Sequence, residues 1–112
     1  MANDNPPPPA VAPVPDPVAL LHVLGNPIGW NALLRMAATG PQSVNDLAAA
    51  LNCAQVSASR HLDAMWQAGA VIGVTPPDGD GRKVFYDIPP GRRRVTAAGT
   101  EIDYGVCVIR LA

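Results

Sequence analysis

Gln55, Val56, Ser57, Ser59, Arg60 and His61 crowd a carboxamide, two hydroxyls, a guanidinium and an imidazole into seven positions of the stretch QVSASRHLDAMWQAG. Their shared chemistry is reversible hydrogen bonding: the amide sets a donor beside an acceptor, the hydroxyls do either, and the guanidinium only donates. Bond-making chemistry is missing. No Ser/His/Asp arrangement, carboxylate pair, phosphate-cradling glycine loop or metal triad occurs in the chain, which argues against an enzyme. Cys53 and Cys107 stand far apart, with no second Cys or His at ligand spacing, so no disulfide framework, metal site or cofactor is implied.

The stretch must be a helix to present these groups together. At ~100° per residue, Ala58, Leu62 and Met65 form a core stripe with Trp66 beside it, while Val56, Ser57, Arg60, Ala64 and Gln67 point away. Three further helices are punctuated by their own residues. Asp16-Pro17 starts the first, with Val18, Leu20, Leu21 and Leu24 as its apolar positions and Gly25 as its stop. Asn26-Pro27 starts the second, which carries Ile28, Leu33, Leu34, Met36 and Ala37 to a stop at Gly40-Pro41. Ser43 with Asp46 starts the third, lined by Val44, Leu47, Ala48 and Leu51. His22, Trp30 and Trp66 lie in or beside these stripes and are read as packing residues.

After Gly69, the segment AVIGVTPPDGDGRKVFYDIPP predicts two strands joined by a turn rich in Pro, Asp and Gly. GRRR then predicts a basic loop, and the β-branched run from Ile102 to Leu111 a terminal strand. The first 17 residues are rich in proline and are read as a mobile arm.

Bulk properties bound the function. A chain of 112 residues, 48% hydrophobic and 15% charged, is one domain's worth of foldable sequence. Its formal net charge of −1 argues against non-specific coating of nucleic acid, yet the charge is unevenly spread. Both ends are acidic, whereas residues 55–94 hold Arg60, Arg82, Lys83, Arg92, Arg93 and Arg94 against Asp63, Asp78, Asp80 and Asp87. No signal peptide or run of ~20 apolar residues is present, so a cytoplasmic protein without membrane association is expected.

Two helices, a helix pair around a tight turn, and a hairpin form the order of a winged helix-turn-helix. The expected class is mainly α with a small β part (α+β): four helices, a β-hairpin wing and a C-terminal strand. The expected division is a disordered arm at 1–15, the winged helix-turn-helix at 16–90, and a basic loop with terminal strand at 91–112. The segments LGNPIGWNALLRMA, SVNDLAAALNCAQVSASRHLDAMWQAGAV and GRKVFYDI resemble successive blocks of the ArsR/SmtB family of winged-helix transcriptional repressors. Ser59-Arg60-His61-Leu62 followed by Ala68-Gly69-Ala70-Val71 is the most specific piece.

That resemblance implies a dimeric regulator of double-stranded DNA with residues 55–68 as recognition helix. Gln55 would then pair with an adenine edge and Val56 meet a thymine methyl. Ser57, Ser59 and His61 would reach phosphates or base edges, Arg60 a guanine or the backbone, and Arg82 and Lys83 of the wing the adjacent phosphates. Arg92, Arg93 and Arg94 fit a phosphate clamp or a merely solubilising loop equally well. The family's metal-sensing residues are absent, and Cys53 falls where it places a buried apolar residue of the turn. Two further departures are Gly29, where an arginine is usual, and Ala54 in place of the Ser/Thr cap of the recognition helix.

Members of that family pair through the first helix and a helix after the wing. Here a strand replaces the latter, expected to pair either with the wing of its own chain or with its copy across a twofold axis. A winged-helix protein-interaction module without DNA binding is the rival function, since the global charge is not basic.

Overall fold

Asp16 and Asn26 open the first two helices through the hydrogen bonds their types predict. In the computed structural model, which describes residues 15–75 and 84–111, Asp16 Oδ2 accepts from the Ala19 N–H at 2.9 Å and starts α1 (Pro17–Leu24). Asn26 Oδ1 accepts from the Ile28 N–H at 2.9 Å and starts α2 (Pro27–Thr39), which ends at Gly40. The third helix, α3 (Val44–Leu51), has a complete capping box: Asp46 N–H donates to Ser43 Oγ at 3.0 Å and Ser43 N–H to Asp46 Oδ2 at 3.1 Å. Asn52, in the left-handed region at φ 52°, turns the chain into α4 (Gln55–Gln67).

The helices meet on the stripes that periodicity assigned to them. Leu20 and Leu24 of α1, Leu33 and Met36 of α2, Leu47 of α3, and Leu62 and Met65 of α4 share one buried cluster. Each such side chain, fully buried, contributes roughly 1.5–3 kcal/mol. Gly29 sets how closely α1 and α2 approach, because a Cβ there would overlap the Val23 carbonyl oxygen. The arginine usual in the resembled family cannot occupy this position without forcing the two helices apart.

Four assignments of packing residues need correction. Val18 and Leu21 are 75% and 58% exposed, so α1 turns only Leu20 and Leu24 into the core. Trp66 is 53% exposed and His22 is also on the surface, whereas Trp30 packs against the core as expected.

The wing is part of a three-stranded antiparallel sheet in which β2 (Ile72–Val74) pairs with β3 (Phe85–Asp87). A two-residue strand preceding α3, β1 (Gln42–Ser43), pairs with the other edge of β3. Pairing of Ser43 with Phe85 and of Ile72 with Asp87 fixes the register and seats the wing against the start of α3. The wing tip and the proline-rich arm before Pro15 lie outside the described residues.

Residues 91–111 depart most from expectation. In place of a basic loop and one terminal strand, the chain forms a second antiparallel sheet, β4 (Arg93–Thr96), β5 (Gly99–Asp103) and β6 (Val108–Leu111), in the order β4-β5-β6. Polar side chains build both turns. Thr96 Oγ1 accepts from the Ala98 N–H and donates to the Gly99 carbonyl, while Asp103 Oδ1 accepts from the N–H of Gly105 at φ 87°. The strand expected at Ile102–Leu111 is therefore folded back on itself, its pairing within the chain but not with the wing.

Candidate nucleic-acid interface

Helix α4 is braced from behind and open in front. Ala58, Leu62 and Met65 are buried, whereas Gln55, Val56, Ser59 and Arg60 are exposed and Ser57 and His61 half-buried. The sequence-predicted groups thus occupy one continuous outer surface at the N-terminal half of the helix. Arg60 makes no ion pair with another described residue, so its guanidinium faces solvent with all its donors.

His61 and Gln55 are less independent than the sequence implies. His61 Nδ1 lies 2.7 Å from the Ser57 carbonyl, one turn back. A carbonyl only accepts, so Nδ1 carries the proton and Nε2 is the nitrogen left for a partner. Gln55 Nε2 donates to Asn45 Oδ1 at 2.6 Å, linking the first residue of α4 to the first turn of α3. Asn45 is a neighbour of the candidate site that sequence reasoning missed. Its amide, ten positions before Gln55 at a helix start, was visible, but only the crossing of α3 and α4 brings the two together.

The start of α4 has no side-chain cap, as the alanine at position 54 predicts. Its first turn therefore keeps backbone N–H groups with no side-chain acceptor. The turn before it is held instead by α3: Asn52 and Cys53 donate to the Ala49 and Ala48 carbonyls at 3.4 and 3.0 Å. Cys53 is half-buried there.

Arg82 and Lys83 lie outside the described residues. Arg92, Arg93 and Arg94 contact other parts of the fold. Arg93 Nη1 donates to the Met36 and Ala37 carbonyls at 3.2 and 3.3 Å, in the last turn of α2, and Nη2 lies 3.7 Å from Asp87 Oδ2. A cation at a helix C-terminus also interacts favourably with the helix dipole. Arg94 Nη2 pairs with Asp103 Oδ2 at 2.9 Å and approaches Glu101, which also takes Arg110 at 2.9 Å. Arg92 is directed at the Asp103 carbonyl at 3.5 Å. Arg92 and Arg94 thus both turn to Asp103 while Arg93 reaches the end of α2, so the three consecutive arginines do not gather on one face.

This architecture is that of known winged-helix proteins. HlyU from Vibrio cholerae N16961 superposes with a TM-score of 0.56 at 24% identity, over 66% of this chain and 75% of that one. The reduced form of HlyU from the same organism gives 0.55 at 24% identity, over 66% and 73%. No family model and no curated protein sequence matches the chain. Over its described residues the chain is thus an α+β winged helix of four helices and antiparallel strands. Among the described residues, no helix is long and apolar enough to cross a membrane.

Proposed function

We propose that this protein is a sequence-specific, double-stranded-DNA-binding transcriptional regulator of the ArsR/SmtB type, acting as a dimeric repressor and not as an enzyme. The observation that carries the proposal is the outer face of α4. It offers Gln55, Val56, Ser59 and Arg60 together to solvent, on a helix held by α3 behind and followed directly by the wing. Small and polar groups at its N-terminal end let the helix backbone approach a major groove, where amide and guanidinium groups discriminate base edges. Ser57 and His61 Nε2 flank that contact.

Arg60, Arg82 and Lys83 supply the phosphate affinity in this proposal. Arg93 and Arg94 serve the fold, because each is already held by carbonyls or carboxylates of the chain. One short helix reads too few base pairs for useful specificity, so two copies are needed. Val18 and Leu21, exposed on α1, provide an apolar surface where the resembled family forms its dimer.

Selection from random duplexes, followed by fluorescence anisotropy across a salt series, tests the proposal. The expected outcome is a palindromic site with half-sites about one helical turn apart and affinity that falls steeply with salt. Exposed Val56 and Trp66 on α4 favour the rival reading, a protein-interaction module. Absence of binding to any duplex at low salt would decide for that module.

A further inference from the structure

We propose that Asn45 is a positioning residue that presents the Gln55 amide for an adenine in the major groove; this rests on α4 being the DNA-reading helix. Gln55 is exposed and begins a helix without a side-chain cap, so nothing on its own helix fixes its carboxamide. What fixes it is Asn45 Oδ1, 2.6 Å from Gln55 Nε2. The backbone that carries Asn45 is anchored. It lies in the first turn of α3, between the two partners of the Ser43–Asp46 capping box, and β1 ties that turn to β3 of the wing.

The geometry selects a base. A primary amide has two N–H groups and a carbonyl oxygen. In this proposal Asn45 takes the Nε2–H trans to Oε1, which leaves the cis N–H and Oε1 side by side, one donor next to one acceptor. In the major groove adenine presents the complementary pair, N7 as acceptor and N6–H as donor, whereas guanine presents two acceptors. A guanine would set its O6 against the Gln55 oxygen. Because the amide is already held by Asn45, less rotamer freedom is lost on meeting the base. The Asn45 side chain acts through Gln55 and touches no base.

The test uses the full chain and the duplex that it selects. The base pair read by Gln55 is the one whose A-over-G preference disappears in Gln55→Ala. Anisotropy titrations then compare wild type, Asn45→Ala and Asn45→Asp on that duplex and on its single A·T-to-G·C variant. Asn45→Ala is expected to reduce the preference at that one pair by about tenfold, with unchanged discrimination elsewhere and an unchanged salt slope. Asn45→Asp keeps the accepting oxygen and retains the preference, although its charge weakens binding to every duplex alike. The double variant Asn45→Ala/Gln55→Ala is expected to lose no more discrimination than Gln55→Ala alone.

An Asn45→Ala protein that weakens both duplexes equally, with a shallower salt slope, would make Asn45 a phosphate contact and overturn the proposal. So would an A-over-G preference that survives Asn45→Ala. Failure of the wild type to bind any duplex would remove the DNA-reading role of α4 and this proposal with it. Asn45 is exposed, so unfolding of the variants is not expected; coincident circular dichroism melts confirm it.

Discussion

The Tyr104 hydroxyl donates a 2.8 Å hydrogen bond to the carbonyl of Ala70, 34 positions earlier in the chain, and both residues are fully buried. Ala70 N–H in turn donates to Met65 at the end of α4. The turn between β5 and β6 is thereby fastened to the point where the candidate reading helix passes into the wing. Tyr104→Phe keeps the ring in the core but leaves the Ala70 carbonyl without this donor. The expected cost is about 1–2 kcal/mol, seen as a lower urea midpoint with an unchanged slope.

Alkaline pH reports on the same residue. Burial holds the Tyr104 phenol well above its ordinary range, with Cys107 adding to the effect and Arg92 opposing it. The folded protein thus keeps the phenol neutral where the unfolded chain ionises it, at about pH 10. Stability from this group is intact below that pH and is lost progressively as pH rises above it. Wild-type stability should fall between pH 10 and 11 more steeply than that of Tyr104→Phe. Equal slopes in the two proteins would assign the alkaline loss to another group.

Arg93 and the wing cations should separate cleanly by experiment. Removing Arg93 takes away donors to the last turn of α2 and the partner of Asp87, which is only 15% exposed in its side chain. Arg93→Ala is expected to destabilise the fold by about 1–2 kcal/mol while leaving the salt slope of DNA binding unchanged. Arg82→Ala/Lys83→Ala should do the reverse, with stability nearly unchanged and the slope shallower by about 2. A slope change in the Arg93 variant would place that guanidinium on DNA.

Legibility in the sequence followed how local the determining interaction is. Asp16, Asn26 and Ser43 announce their helices because a cap bonds within three residues of itself, and Leu33, Met36, Leu62 and Met65 declare a core through spacing alone. Val18 and Leu21 mislead for the complementary reason: periodicity marks them as apolar but does not say which side a neighbouring helix takes. The C-terminal sheet was missed because a run from Ile102 to Leu111 scores as one strand unless Asp103 and Gly105 are recognised as a turn. The roles of Arg93 and Asn45 depend on groups 57 and 10 positions away, respectively, contacts that no local pattern encodes.

Ala54 offers a gain in stability at the candidate site itself. Its backbone is already extended, at φ −69° and ψ 147°, as an N-cap requires, but its side chain has no oxygen to accept from the first turn of α4. Serine at this position can accept from the N–H of Val56 or Ser57 without moving the chain. Ala54→Ser should therefore stabilise the protein by about 0.5–1 kcal/mol, raising Tm by a few degrees in a domain of this size. Side chains carry the base contacts in the proposed mode of binding, so operator affinity should stay within about twofold of wild type, a shift of roughly 0.4 kcal/mol. A stabilised variant that binds markedly more weakly would show instead that the uncapped N–H groups at the start of α4 are themselves used to hold DNA.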